Sequence, residues 1–416
     1  MGIHDKIIIG AGAAGLMAAY SACEIRNDAM EKPDVLILDG EDDIGKKITA
    51  TGNGKCNFTN TYQAEECYRS SDPAKAFRII KSFDHMKTLE LFKSFGILHT
   101  ERNGYCYPYG EQARTLRDVL ASKVSSMGAR LELGKKVVRI DKLEDVFDIS
   151  CVDGSFYRSR KLIVCTGGSA APVFGSDGSM FSVLKSMGFN VKKPFPALCG
   201  MKSDYKFLKR IDGVRIKCRC SLYSGTAMNI IYSDRGEIVF NKKGLSGIPV
   251  MNSSRYAINE LRDGTKTGFL LDFFPDMDIR ELKDFMCSTV HSSVMPIGTA
   301  LSALINDKLL KVAMLEIKLK YDAVPTEYDV KTIRQELGKL AEALKAFDIN
   351  IIDHNGFENS QTTQGGVILK EIDEKNMESY KYPNMYFAGE VLDVDGMCGG
   401  YNLQWAWTTG YIAGRN

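Results

Sequence analysis

Six residues near the N-terminus have the spacing of a phosphate cradle. Gly10-Ala11-Gly12-Ala13-Ala14-Gly15 reads GxGxxG; it follows a short β-branched run from Lys6 and opens an alanine-rich run, Ala13 to Ile25. In that setting Gly10 serves a tight turn, Gly12 admits a pyrophosphate against the backbone, and Gly15 lets helix and strand pack closely. The first helical turn then offers unpaired N–H groups and the positive end of its dipole to the phosphates. Asp39, closing the apolar run that starts at Val35, could accept hydrogen bonds from a ribose hydroxyl. The chemistry implied is dinucleotide binding, and the motif alone leaves NAD and FAD both open.

Other chemistry-bearing residues are less pointed. Cys56 has no partner at CxxC or CxxxxC spacing, so packing is the expected role, although Lys55 beside it could lower its pKa. His4, His85, His99, His291 and His354 are scattered and read as surface or satisfied residues. Tyr105, Tyr107 and Tyr109 form a tyrosine-rich loop in which Tyr105 and Tyr107 are candidate substrate contacts. The sequence shows no metal-ligand cluster, Ser/His/Asp arrangement or P-loop, and the expected metal set is none.

The elements that must position these residues are those of a multidomain globular chain. At 416 residues, two to three domains are expected at about 150 residues each. Fifty-four Lys and Arg against 52 Asp and Glu leave +2, too little to recruit nucleic acid or anionic lipid over the whole surface. Eleven cysteines without metal or dithiol spacing suit a reduced, cytoplasmic protein. Ile7 to Ala19 is apolar but broken by three glycines, so neither a signal peptide nor a membrane span is expected. Glycine is in excess, 38 against 11 prolines, and clustered glycine marks close approach of backbone to something.

Along the chain, the first 40 residues read as one βαβ unit. Helical spacing follows from Ser82 to Gly128, then two strands near Lys136 to Ile140 and Val146 to Cys151. Leu162 to Cys165 reads as a buried parallel strand meeting the turn Thr166-Gly167-Gly168. From Pro194 to Phe274 short alternating strands are expected, with a turn at Ser233 to Gly236. In one of them, Cys218 and Cys220 share an apolar face. Val330, Ile333, Leu337, Leu340 and Leu344 line a helix face. The last 60 residues return to the opening style, with a strand at Met385 to Ala388 and a helix from about Gly400 to Ile412.

The C-terminal segment bears on the choice of cofactor. Gly389-Glu390, Asp393, Asp395 and Gly399-Gly400-Tyr401-Asn402 resemble the second FAD fingerprint of two-dinucleotide-domain flavoproteins. A helix starting near Gly400 could aim N–H groups at the flavin N1 and C2 carbonyl, where charge gathers on reduction. Together with Gly45 to Asn60, Gly244-Leu245-Ser246-Gly247, Gly365-Gly366-Val367 and Ala388 to Gly396, these motifs closely resemble the BaiN/YhiN-like family of bacterial flavoproteins over essentially the whole chain.

That resemblance implies an α/β fold: a Rossmann-like, glutathione-reductase-like FAD-binding domain interrupted by a β-barrel-like domain that carries a small helical domain. On the texture above, the first covers residues 1–192 and 359–416, the β domain 193–275 with a return strand at 347–358, and the helical insert 276–346. The family pattern makes the turn Gly10, Ala11, Gly12, Ala13, Ala14, Gly15 the pyrophosphate contact and Asp39 with Gly40 the adenosine ribose site. Lys46, Lys47 and the loop Thr51, Gly52, Asn53, Gly54, Lys55, Cys56, Asn57 should line the phosphates and flavin ring. Val137 would meet the adenine, and Thr166, Gly167 and Gly168 would close over the ribose. Gly389, Glu390, Asp395, Gly400, Tyr401, Asn402 and Leu403 would hold the ribityl chain and ring. Asp39 stands where many relatives carry Glu, and Ser169 to Gly178 is shorter than usual.

The resemblance implies an FAD-dependent oxidoreductase moving a hydride through flavin N5 to or from a small organic substrate, with an apolar enone or ketone of steroid type among the candidates. With one GxGxxG, NADH or NADPH would visit the flavin only transiently. An amine oxidase using oxygen, an RNA-associated flavoprotein and a redox sensor stay open as alternatives. The expected partner is a small molecule, with no nucleic acid and no membrane; the oligomeric state is not readable.

Overall fold

The computed structural model describes residues 2–24 and 34–416. The chain forms two compact units, one of Met1–Ala197 with Phe357–Asn416 and the other of Leu198–Gly356. The fold is mixed α/β, with a Rossmann-type first unit.

The centre of the first unit is a seven-stranded sheet. Ile3–Ile9 lies between Val35–Leu38 and Phe156–Val164, and all three run parallel. Ile7, Ile8, Ile9, Val35–Leu38, Leu162, Ile163 and Val164 are buried on both sides, as a parallel sheet covered by helices requires. Arg130–Glu132 extends one edge. Phe156–Val164 changes partner along its length. Its first half pairs antiparallel with Val146–Cys151, which pairs in turn with Val137–Leu143, and its last three residues pair parallel with Met385–Phe387. The register Ile9↔Leu38, Ile9↔Val164 and Val164↔Phe387 therefore brings the carboxyl ends of four strands to one edge. Open α/β sheets bind ligands at such an edge.

Two helices pack on each other beside that edge. Ala13–Glu24 starts at the GxGxxG turn; Ile25, expected to end it, lies outside the described residues. Against it lies Tyr401–Gly414, where a side chain at Gly410 would overlap the Ala14 carbonyl and one at Gly414 the Ala18 carbonyl. The buried Lys6 ammonium donates to the Gly414 carbonyl at 2.7 Å, tying the last helix to the first strand. Among the described residues, no helix is long and apolar enough to cross a membrane.

The second unit holds a seven-stranded antiparallel sheet in the order Phe347–Ile351, Thr267–Asp272, Arg215–Ser224, Asn229–Asn241, Gly244–Gly247, Met201–Lys202, Asp353–His354. Cys218 and Cys220 are buried on one face of Arg215–Ser224. Helices Ile279–His291, Asp307–Glu316 and Val330–Lys345 follow in the chain, the last with Leu337, Leu340 and Leu344 buried and Val330 exposed.

Two expectations are corrected. Ser233 to Gly236 is no turn: Asn229–Asn241 is one continuous strand, and the chain reverses at Gly225 to Met228. Gly236 serves close packing instead, since a side chain there would meet Pro249 of helix Ile248–Arg262 at 3.0 Å. The tyrosine-rich loop is also a strand, Tyr105–Pro108, paired with His99–Arg102 and Thr59–Asn60. The reversal falls on Asn103-Gly104, both at positive φ, the residue pair that two-residue hairpins favour.

Candidate functional site

The glycine turn behaves as its chemistry requires. Gly10 has φ +104°, and a side chain there would come within 2.5 Å of the Cys165 carbonyl oxygen. At Gly15 a Cβ would overlap the Gly10 carbonyl oxygen itself, so the helix can start this close to the strand only with glycine. Gly12 is different: nothing lies within 4 Å of where its Cβ would stand, and its face is open to a ligand. Ala11 is fully buried and Ala14 nearly so, whereas Ala13 is half-exposed.

Asp39 braces this turn. Its Oδ2 accepts from Ala11 N at 2.5 Å and its Oδ1 from Glu41 N at 2.8 Å. Burial raises its pKa above the ordinary carboxylate value, against the pull of those two N–H groups. A cleft opens beside it, lined by Gly10, Asp39, Gly40, Val137, Thr166, Gly167 and Gly168. Gly10 is expected at the pyrophosphate and the other six at the adenosine end; Lys135, Lys136, Asp177 and Phe181, outside the expected set, also line the cleft. The Thr166 hydroxyl oxygen is buried and makes no hydrogen bond in the described residues.

A second convergence joins the chain termini. Lys47 in the short helix Lys46–Ala50 donates to Glu390 Oε2 at 2.9 Å, and Glu390 Oε1 accepts from Thr363 N at 3.0 Å. Thr363 Oγ1 also accepts from Ser169 N and Ala170 N. Gly168 must be glycine to fit beneath them, because a Cβ would overlap Thr363 Oγ1 and stand 2.7 Å from Glu390 Oε1. Gly389 N is held by Thr409 Oγ1 at 2.9 Å. At the start of the last helix, Gly400 lies so close to Thr59 O and Asn57 Oδ1 that no side chain fits. The Asn57 oxygen is a second buried polar atom without a partner in the described residues.

A profile of the HI0933-like protein Rossmann domain matches residues 4–416. The chain belongs to the HI0933-like Rossmann family. Among curated relatives, the 3-dehydro-bile acid delta(4,6)-reductase of Clostridium scindens is 35% identical over 410 residues, covering 98% of this chain and 97% of the relative. The ribosomal RNA dihydrouridine synthases of Haemophilus influenzae and Escherichia coli are each 26% identical, over 412 and 419 residues, and each match covers at least 96% of both chains. This HI0933-like protein is accordingly an oxidoreductase of the flavoprotein class.

Several residues expected to touch a ligand have other occupations in this HI0933-like chain. Asp395 is completely enclosed, 4.0 Å from the buried Arg69 across the strand pair Val394–Gly396 and Tyr68–Ser70. Its carboxylate faces the Arg69 guanidinium across that strand pair. Glu390 is engaged by Lys47 and Thr363, and the Lys46 ammonium is held by Glu41 and Asp42. The Asn402 side chain folds back on Gly396, accepting from its N–H at 2.8 Å and donating to its carbonyl at 3.0 Å. Tyr401 is buried against Tyr68, and Leu403 is half-buried. In the loop Thr51 to Asn57, the Thr51 hydroxyl donates to Ile48 O, and Gly52, Asn53 and Gly54 take positive φ. Lys55 reaches out of it to Glu111 at 2.7 Å.

Cys56 is wholly buried, and burial pushes its thiol up to about 12. A thiol with that pKa carries almost no thiolate near neutrality, and Lys55 does not activate it. Native protein treated with iodoacetamide at pH 8 should remain unmodified at Cys56 while the half-exposed Cys398 reacts, as read by peptide mass spectrometry. Modification of Cys56 at a comparable rate would restore a redox role for it.

Thr363 and Gln404 lie outside the sequence motifs, and Asp393, part of the C-terminal fingerprint, has a supporting role. Thr363 ties the Thr166–Ala170 turn to Glu390. Asp393, completely buried, accepts from Ser71 N and Gly365 N, each at 3.1 Å. Gln404 gathers Thr59, Thr88, Thr408 and Phe83 O around the last helix. Asp393 carried a signal as part of the C-terminal fingerprint, and Thr363 as one of a threonine pair just before Gly365-Gly366.

Proposed function

We propose that this protein is an FAD-dependent reductase that saturates a carbon–carbon double bond conjugated to a carbonyl in a small organic substrate, with NADH or NADPH as the transient reductant. The observation that carries the reading is the convergence of the Gly10–Gly15 turn, Asp39, Thr166–Gly168 and Gly389 on one sheet edge, with two buried polar atoms, Thr166 Oγ1 and Asn57 Oδ1, without hydrogen-bond partners among the described residues. These residues fit a flavin dinucleotide. The open face at Gly12 and the first N–H groups of Ala13–Glu24 would receive the pyrophosphate. Asp39, Gly40, Val137, Thr166 and Gly167 would enclose the adenosine, and the Thr51–Asn57 loop with the Gly400–Leu403 helix start would hold the ring.

When bound, the flavin supplies hydride transfer through N5. The helix beginning at Gly400 would place its dipole's positive end where charge develops on the ring. Substrate class is supported by the relatives: a bile acid delta(4,6)-reductase and dihydrouridine synthases share, by their names, saturation of a double bond conjugated to a carbonyl. The eleven free thiols support a cytoplasmic setting.

Anaerobic mixing of the yellow holoprotein with NADPH or NADH should bleach the visible flavin band, and a conjugated enone should restore it. No bleaching with either nicotinamide, together with peroxide release from a small amine, would establish the oxidase instead. The ribosomal RNA relatives favour an RNA-directed version of the same reduction. Reoxidation by unmodified ribosomal RNA and not by enones would make RNA the substrate, against the chain's near-neutral +2 balance.

A further inference from the structure

The small sheet Thr59–Asn60, Tyr105–Pro108, His99–Arg102 has an inner and an outer face. Cys106 and Pro108 are buried on one; Tyr105 and Tyr107, alternating with them, are half-buried on the other. The register sets Asn60 and Arg102 opposite Tyr105, and Thr100 opposite Tyr107, so these side chains share the tyrosine face. That face covers both glycine turns of the ring end of the site. The Tyr105 ring comes within 3.3 Å of where a Gly399 Cβ would stand, and the Tyr107 ring within 3.6 Å of the same point at Gly52. Asn60 Nδ2 fastens the sheet there, donating to Gly399 O at 2.9 Å.

Three charges gather beside Tyr107. Lys55 Nζ lies 2.7 Å from Glu111 Oε2, and Arg102 pairs with the same carboxylate. Burial raises the Tyr107 phenol's pKa, while Lys55 and Arg102 draw it down and Glu111 opposes them. Two cations therefore share one carboxylate, leaving one positive charge. The side chains of Lys55 and Arg102 are 48% and 60% exposed, and that of Glu111 is 22% exposed. Glu101 cannot compensate from its own strand, because it pairs with Cys106 on the opposite face.

Flat aromatic rings accept an apolar conjugated body, and a guanidinium with spare donors accepts a carboxylate or phosphate through two parallel bonds. We propose that Tyr105 and Tyr107 form the apolar wall of the substrate site and that Arg102 with Lys55 forms an anion subsite at its end, so that the ligand taken there carries a carboxylate or phosphate beside a flat or apolar part that packs on the rings. The proposal rests on the reductase reading. The anion is either the substrate's carboxylate or the phosphate that distinguishes NADPH from NADH.

The test uses flavin-loaded holoprotein and reads perturbation of the visible flavin spectrum on titration with non-reducible probes. Bleaching by a nicotinamide, checked first, reports on the reductase reading independently. Cholanic acid should bind at least tenfold more tightly than its methyl ester, and the difference should shrink with salt. Arg102→Gln should weaken the acid about tenfold and leave the ester unchanged, whereas Glu111→Gln, which frees a cation, should strengthen the acid. Opposite signs from two substitutions cannot arise from general unfolding. If NADP+ rather than cholanic acid shows this pattern, with NAD+ unaffected, the subsite belongs to the reductant's phosphate. Equal binding of acid and ester, together with equal binding of NADP+ and NAD+, in the unaltered holoprotein overturns the proposal.

Discussion

Gly15→Ala is expected to give protein that is purified colourless and melts well below the unaltered chain, whereas Gly12→Ala should fold normally yet lose FAD affinity by tenfold or more. The two glycines occupy the same motif but do different physical work. A methyl at Gly15 would overlap the Gly10 carbonyl oxygen, with the Cys165 side chain 3.5 Å away, so helix and strand would have to separate. Overpacking of that kind costs about 1–3 kcal/mol or more. It also displaces the N–H groups that would receive the pyrophosphate. A methyl at Gly12 touches no protein atom and can obstruct only a ligand. Because bound ligand stabilises by about 4 kcal/mol at a thousandfold excess over Kd, melting should be followed with and without added FAD. Normal FAD binding by Gly12→Ala would show that no phosphate approaches that face.

Asp395→Ala should lower the stability of the first unit by about 3–5 kcal/mol, the range for removing one partner of a buried ion pair. Asp395 has no exposed surface, Arg69 is 6% exposed, and the two oppose each other in strand register. Removal of the carboxylate leaves the guanidinium charge without its partner's compensation in a dry setting. Replacing both, as Arg69→Met with Asp395→Leu, should recover most of the loss, since an apolar pair of similar volume removes both desolvation costs. Thermal melting of apo and FAD-loaded protein separates the alternatives. If Asp395→Ala keeps the apo midpoint and loses only the FAD-dependent increment, Asp395 contacts the ligand and the ion-pair role is wrong.

The readable parts of the sequence were those whose function is met within a few neighbouring residues. GxGxxG after a β-branched strand demands a tight turn, an open face and a close helix approach, and Gly10, Gly12 and Gly15 supply these in that order. Leu162 to Cys165 read as a buried parallel strand because apolar residues in sequence can be buried on both faces only inside a covered sheet. Tyr105–Pro108 is a strand and not a loop because Asn103-Gly104, both at positive φ, turns it back on His99–Arg102. Ser233 to Gly236 is the opposite case. Its residues suit a turn, but Gly236 is there so that Pro249, thirteen positions on, can pack against bare backbone.

By itself, then, the sequence determined that a dinucleotide cradle follows the first strand and that its family likeness is that of flavin oxidoreductases. Only the tertiary structure decided what each acidic residue does. Asp39 holds the Ala11 and Glu41 N–H groups, Glu390 holds Lys47 and Thr363, and Asp395 faces Arg69. A glycine's role follows from its lack of a side chain and is largely a local property. A carboxylate's role is set by whichever donors the fold brings within 3 to 4 Å, and for Glu390 and Lys47 those donors lie 343 residues apart in the chain.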